Sequence, residues 1–152
     1  MNTVLDKKSL KEEFKKIENL IYNNKDLDSY GDGKSIVDTP HAPLTHDFAD
    51  QLYIRRMDMV AGSIVAGAIH NHKHVWFLLT GKLSIYSNDK LEDYIAPCYV
   101  ISEPGTKRLI YAHEPSVFVN VHKNPSNTTD IKELEKEIVS FNKEDFKNYK
   151  NK

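Results

Sequence analysis

The stretch GSIVAGAIHNHKHVWFLLTG, residues 62–81, holds three of the chain's seven histidines within five positions. His70, His72 and His74 alternate there with Asn71 and Lys73. On one straight strand all three imidazoles would point to the same face. Neighbouring rings would then lie roughly 6.5–7 Å apart and the outer pair roughly 13 Å apart. Imidazole nitrogen binds zinc at about 2.0–2.1 Å. Two neighbours can share an ion, whereas His70 and His74 can do so only if the chain turns between them. Asn71 and Lys73 are compatible with a turn. The spacing permits a metal site, and it equally fits surface histidines on a hydrated hairpin or an interface cluster.

Outward from this stretch, residues 48–123 read as short β-like runs with turn residues between them. Strands are expected near 51–59, 63–70, 74–80, 82–88, 93–101, 107–112 and 116–123. The breaks are Ala61-Gly62, Gly81, Asn88-Asp89, Pro104-Gly105 and Glu114-Pro115. Val117, Val119 and Val121 alternate with Phe118, Asn120 and His122, the period of a strand. Short strands punctuated in this way predict an all-β sandwich or small barrel.

The flanks differ. Leu10, Phe14, Ile17 and Leu20 recur at helical spacing, and Ser9 with Glu12 has the pattern of a capping box, so residues 1–24 are read as an N-terminal helix region. Residues 25–47 contain Gly31, Gly33, Pro40 and Pro43 and read as a linker or arm, with room for an edge strand near 35–37. Asp130 with Glu133, followed by Leu134 and Ile138, predicts a capped helix within 124–152, ending in a frayed Lys-rich tail. His41 and His46 are read as structural or exposed.

At 152 residues and 17.5 kDa the chain suits one structural domain with its own core. Lys plus Arg total 21 against 22 for Asp plus Glu, a net charge of -1 that gives no reason to expect a nucleic-acid partner. No apolar run has the length of a membrane span, and the charged N-terminus lacks the core of a secretory signal. Cys98 is the single cysteine, which excludes an internal disulfide and a Cys-rich zinc module. Cytoplasmic location is the default expectation. No nucleophile elbow, phosphate loop or His-Glu-x-x-His motif is present.

Residues 62–81, together with Pro104-Gly105, resemble the two motifs of the cupin superfamily. The first motif is a Gly, a His-x-His pair, then a Glu, with a Gly seven residues after that Glu. Gly81 sets the frame, which places His74 at the Glu position, His70 at the second His and Ala68 at the first. The second motif is Pro-x-Gly with a His three residues beyond the Gly. Glu103-Pro104-Gly105-Thr106-Lys107-Arg108 follows it with Arg108 at the His position. The chain is similar in particular to small single-domain cupins of tailed-phage genomes, through the runs Pro104–Arg108 and Tyr111–Glu114.

The resemblance implies a jelly-roll β-barrel with flanking N- and C-terminal α-helices, and a homodimer. It also implies a divalent transition metal (Fe, Mn, Zn or Ni), held in the family by three His and one Glu. Ala68 cannot ligate, and neither can the protonated guanidinium of Arg108. The candidate ligands are therefore His70 and His74, with His122 at the end of a strand lining the same barrel, or His72 as the alternative. His113, beside Glu114-Pro115, ranks lower for the metal. The residues expected toward a small anionic ligand are Arg108, Trp76, Tyr86 and His113. Glu103 and Asp93 are possible acidic partners for Arg108. Core packing remains the competing role for Trp76, Tyr86 and Tyr111, and Cys98 is read as a small buried residue. Two functions follow, a metal-dependent enzyme (dioxygenase, lyase or isomerase type) or a non-catalytic ligand-binding or regulatory protein.

Overall fold

The computed structural model describes residues 7–23 and 41–152. Its elements in chain order are α1 (Lys7–Asn23), β1 (Leu44–Ala49), β2 (Leu52–Met59), β3 (Ile64–Ala66), β4 (Ile69–His70), β5 (His74–Thr80), β6 (Lys82–Ser87), β7 (Lys90–Ile95), β8 (Cys98–Ser102), β9 (Leu109–Ala112), β10 (Ser116–Lys123), α2 (Ile131–Ile138), β11 (Val139–Ser140) and α3 (Lys143–Lys150). One antiparallel sheet runs β1-β2-β10-β5-β8 and a second runs β3-β9-β6-β7, while β4 pairs with β11.

Alternation places the core between the two sheets. Along β2 the residues Tyr53, Arg55, Met57 and Met59 are buried, with more exposed residues between them. Met57, Met59, Trp76, Leu78 and Phe118 of the first sheet pack with Leu83, Ile85, Ile110 and Ala112 of the second. Burying one such side chain stabilises by about 1.5–3 kcal/mol. Helix α1 lies outside, where Phe14 and Ile17 cover Tyr86, Ala66 and Leu109. Helix α2 caps the end of the sandwich that holds Tyr53 and Ala68, burying Leu134 and Ile138 against them.

The expected all-β class with flanking helices is the observed one, with several corrections. Residues 63–70 form two strands, because the backbone leaves β3 at Gly67, whose N–H donates to the Arg108 carbonyl at 2.8 Å. Residues 93–101 likewise divide at the cis Ala96-Pro97 bond into β7 and β8, which belong to different sheets. Strand β1 begins at Leu44, inside the stretch read as linker, because its backbone pairs with β2 although its side chains are mostly exposed. Ser9 sits inside α1 rather than ahead of it, so the capping box is not its start. The tail read as frayed contains α3, capped by Asn142, whose side chain accepts from the Asp145 N–H at 2.8 Å. The cap proposed at Asp130 is present, accepting from the Lys132 N–H at 2.9 Å. The strand expected near 35–37 lies outside the described residues.

Gly81, the residue that sets the motif frame, turns β5 into β6 with φ of 95°. A Cβ there would stand 2.6 Å from the Pro115 carbonyl oxygen, so both the backbone and the space require glycine. Gly81→Ala is expected to destabilise the fold by about 1–3 kcal/mol or more, measured as a lower midpoint in urea unfolding with an unchanged m-value.

Candidate metal centre

Between β4 and β5 the chain turns at Asn71–Lys73, so the alternation of a straight strand is broken. Two structures hold that turn. On one side, the Pro104-Gly105 turn grips His70. The His70 N–H donates to the Thr106 carbonyl at 2.9 Å, and the Gly105 N–H donates to the His70 carbonyl at 2.7 Å. On the other, β11 pairs with β4, and buried Asn71 is bound by three contacts. Its N–H donates to Ile138 O at 2.8 Å, its Nδ2 to Glu137 O at 3.1 Å, and its Oδ1 accepts from Ser140 at 2.6 Å.

The result brings together His70, His74 and His122, all buried. Each can offer a nitrogen such that the three atoms lie within 4.8 Å of one another. The ring centroids are 4.5 Å apart for His70 and His74, 4.6 Å for His74 and His122, and 5.7 Å for His70 and His122. His70 Nδ1 lies 3.2 Å from the Thr106 carbonyl. A carbonyl only accepts, so Nδ1 carries the proton and Nε2 keeps its lone pair. Nε2 of His70 and Nε2 of His122 are both buried without a hydrogen-bond partner. His74 has an oxygen near each nitrogen, His72 O at 3.2 Å and Asn120 Oδ1 at 3.1 Å. A neutral imidazole has one N–H, so one His74 nitrogen also retains its lone pair. Unsatisfied buried nitrogens are uncommon and ask for a partner. Three neutral imidazoles at this separation suit a divalent transition metal.

Burial holds all three rings neutral. His70 and His122 are pushed well below the ordinary imidazole value, first by desolvation and then by neighbouring positive charge, led by Arg108 for His70 and by Arg55 for His122. His74 is lowered to about 4, by desolvation and then Arg108.

The remaining sequence candidates separate. His72 leaves the cluster: its Nε2 meets the Tyr149 hydroxyl at 2.8 Å, in an outer groove of about 490 Å³ shared with Lys123 and Glu137. The turn that gathers His70 and His74 is what turns His72 away. Arg108 is buried as expected. Its Nη1 donates to Ser102 at 3.0 Å and its Nη2 to Asn120 Oδ1 at 3.1 Å. It also lines a cavity of about 240 Å³ with Trp76, Tyr94, Ser102 and Glu103, and so joins that cavity to the histidine cluster through Asn120. Trp76 packs against Phe118 and Tyr94, the core role weighed for it, and also lines the cavity.

Tyr86 is not in this interior. It points out beneath α1, with its ring tilted against Phe14 at 6.1 Å and its hydroxyl donating to Asp89 at 2.9 Å, because inward positions on β6 fall to Leu83 and Ile85. His113 is exposed on the outer face of the second sheet, donating through Nε2 to Ser84, which in turn donates to Asp93. Glu103 pairs with Lys73 at 3.2 Å. Cys98 is half-buried against the main core. Ala68, at the first His position of the motif, faces the apolar cluster under α2.

Two site residues escaped the sequence reading. Asn120 contacts both His74 and Arg108. Arg55 lies directly across from Asn120 on β2 and is 5% exposed. The alternation of 116–123 could have identified Asn120 as facing inward with His122. Arg55 was obscured by its neighbour Arg56, which points outward to Asp58.

No protein-family model matches the chain, and no curated protein is significantly similar to it. Solved structures do share its fold. A protein with a double-stranded β-helix domain from Klebsiella pneumoniae superimposes with TM-score 0.51 at 16% identity, over 69% of this chain and 95% of that one. An RmlC-like cupin from Shewanella frigidimarina gives 0.51 at 9% identity, over 62% and 83%. A cupin superfamily protein from Desulfitobacterium hafniense gives 0.50 at 11% identity, over 59% and 83%. The fold is therefore that of the cupins, as the motif frame implied, and the three clustered histidines are consistent with a cupin-type site for a divalent metal.

The neutral rings set a pH response. In the unfolded chain an imidazole protonates near 6.5, whereas in the fold these three resist protonation. Below that pH the unfolded state binds more protons, so folding stability falls with falling pH. The metal-free protein is expected to lose up to about 1.4 kcal/mol per pH unit for each ring from pH 6.5 downward. For His74 this loss continues to about 4. Urea unfolding at pH 7.5, 6.0 and 5.0 in chelator checks this, and His70→Gln should flatten the slope.

Proposed function

We propose that this chain is a metal-binding cupin that acts on a small anionic metabolite, with His70, His74 and His122 as the ligands. The observation that carries the reading is the pair of buried, unpartnered Nε2 atoms of His70 and His122 beside His74. A divalent transition metal bound there supplies Lewis acidity or oxygen activation, chemistry of the dioxygenase, lyase or isomerase type.

The chain's own residues supply the rest. The Thr106 carbonyl holds the His70 ring in the tautomer that presents Nε2. Asn120 fixes Arg108 and His74 relative to each other. Arg108 offers a planar fork suited to a carboxylate or phosphate entering the cavity, and Trp76 forms an apolar wall beside it. Ser102 keeps the guanidinium in place from the other side.

A second reading is supported by Ala68 and Arg108, which stand where the motifs carry ligands. Under it the site binds its ligand without turnover. Metal binding alone does not separate the two readings; consumption of a bound anion by the metal-loaded protein does.

Elemental analysis of protein purified without chelator is expected to find about one transition-metal ion per chain. His70→Ala, His74→Ala and His122→Ala should each reduce this at least tenfold, whereas His72→Ala should leave it unchanged. Chelator should lower the thermal midpoint of the wild type and not of the three depleted variants. Equal metal content in all five proteins would remove the assignment.

We also infer a homodimer that pairs through the outer face of the first sheet. Leu79, Tyr99 and Ile101 stand there 50%, 66% and 52% exposed, and Val75 and Phe77 lie directly across from Ile101 and Tyr99. A contiguous apolar face of this kind favours a partner. Light scattering should give twice the chain mass, falling to one chain mass in Tyr99→Lys/Ile101→Lys.

A further inference from the structure

Arg55 and Arg108 are the buried charged side chains described, and no Asp or Glu is among the buried residues. A guanidinium does not deprotonate at any ordinary pH. Its charge, once removed from water, needs a counter-charge or a full set of acceptors. Arg108 has Ser102 and Asn120 as acceptors. Arg55 has no side-chain hydrogen bond or ion pair among the described residues.

Its position is well defined. Arg55 is flanked in register by Asn120 of β10 on one side and His46 of β1 on the other. Tyr53, two residues before it, lies opposite His122 and stacks on it with centroids 6.0 Å apart. Arg55 and Tyr53 share the buried face of β2, so Arg55 projects into the same interior as Asn120 and His122. Its charge is felt at all three rings of the cluster. Arg108 approaches the same Asn120 from the second sheet's side of the interior, with Nη2 on Oδ1. Two fixed positive charges thus flank Asn120 and the histidines.

We propose that Arg55 is an anion-binding residue of this site and that the ligand is a small dicarboxylate, one carboxylate held by Arg108 and the other by Arg55. This deepens the metal-and-anion reading above and rests on it for the role of Arg108. The two charges come from different strands and cannot be met by one carboxylate that uses both oxygens on a single fork. A short dicarboxylate supplies one acceptor pair to each guanidinium.

The test is calorimetric titration of zinc-loaded and EDTA-treated protein with malonate, succinate, propionate and inorganic phosphate. Malonate or succinate is expected to bind at least tenfold more tightly than propionate. Arg55→Gln should lower that affinity at least tenfold, to the propionate level, with zinc stoichiometry unchanged. Arg55→Lys, which keeps the charge and loses the fork, should fall between them. Arg55→Met should raise the thermal midpoint of the ligand-free protein and abolish the rise that succinate produces, a combination that a structural role for Arg55 does not give.

The proposal is overturned if folded Arg55→Gln or Arg55→Met binds dicarboxylates like the wild type. It is also overturned if propionate matches them, if phosphate exceeds them, or if neither dicarboxylate binds. Arg55-dependent succinate binding in protein that takes up no zinc would support Arg55 and instead remove the metal assignment.

Discussion

The turn between His70 and His74 is the constraint on which the site depends. A straight strand keeps those rings too far apart to share a ligand and lines His72 up between them. The turn reverses both relations, and it exists because two distant segments hold it. The Pro104-Gly105 turn binds the His70 backbone on one side, and the α2–β11 segment binds Asn71 on the other. Gly105 has φ of 86°, a conformation open to glycine at little cost. The second motif is therefore a clamp on the first, and helix α2 is part of the site's support rather than an appendage.

Electrostatics gives the interior its character. Three neutral imidazoles and two guanidiniums occupy it, with no buried carboxylate among the described residues. In the motif that residues 62–81 resemble, a Glu contributes one negative charge to the ligand set. Here His74 stands in that place, so the protein itself offers less charge to a cation. Arg108 and Arg55 add positive charge nearby, which works against a cation and in favour of an anion. Metal affinity and anion affinity should then be coupled, because each ligand brings the charge that the other needs.

Much of this was legible in the sequence, and the failures have physical reasons. Gly81 and Pro104-Gly105 set the frame, and both sit at backbone positions where glycine is required, so a pattern of glycines carried three-dimensional information. The strands of 74–80 and 116–123 were legible because each buries one face. Strand β1 was not, because its side chains are mostly exposed and backbone pairing leaves no hydrophobic period. For Tyr86 packing and a ligand-facing phenol both fit the sequence; the β6 alternation with Leu83 and Ile85 decides for packing, under an α1 that arrives from far along the chain. Arg55 was missed because adjacent arginines read as a surface pair, and only the strand register separates the buried one from Arg56.

The two positions that differ from the resembled motifs have different surroundings. At Ala68, where the motif that the sequence resembles has a His, the side chain packs with Tyr53, Leu134, Ile138 and Val139 beneath α2. A histidine placed at 68 would have to displace that packing, and overpacking a core is costly. At Arg108 the replacement is anchored by Ser102 and Asn120 rather than left as a gap. Residue 68 thus serves the packing of α2 and Arg108 is held by Ser102 and Asn120, while His122, outside both motif segments, completes the three-histidine cluster.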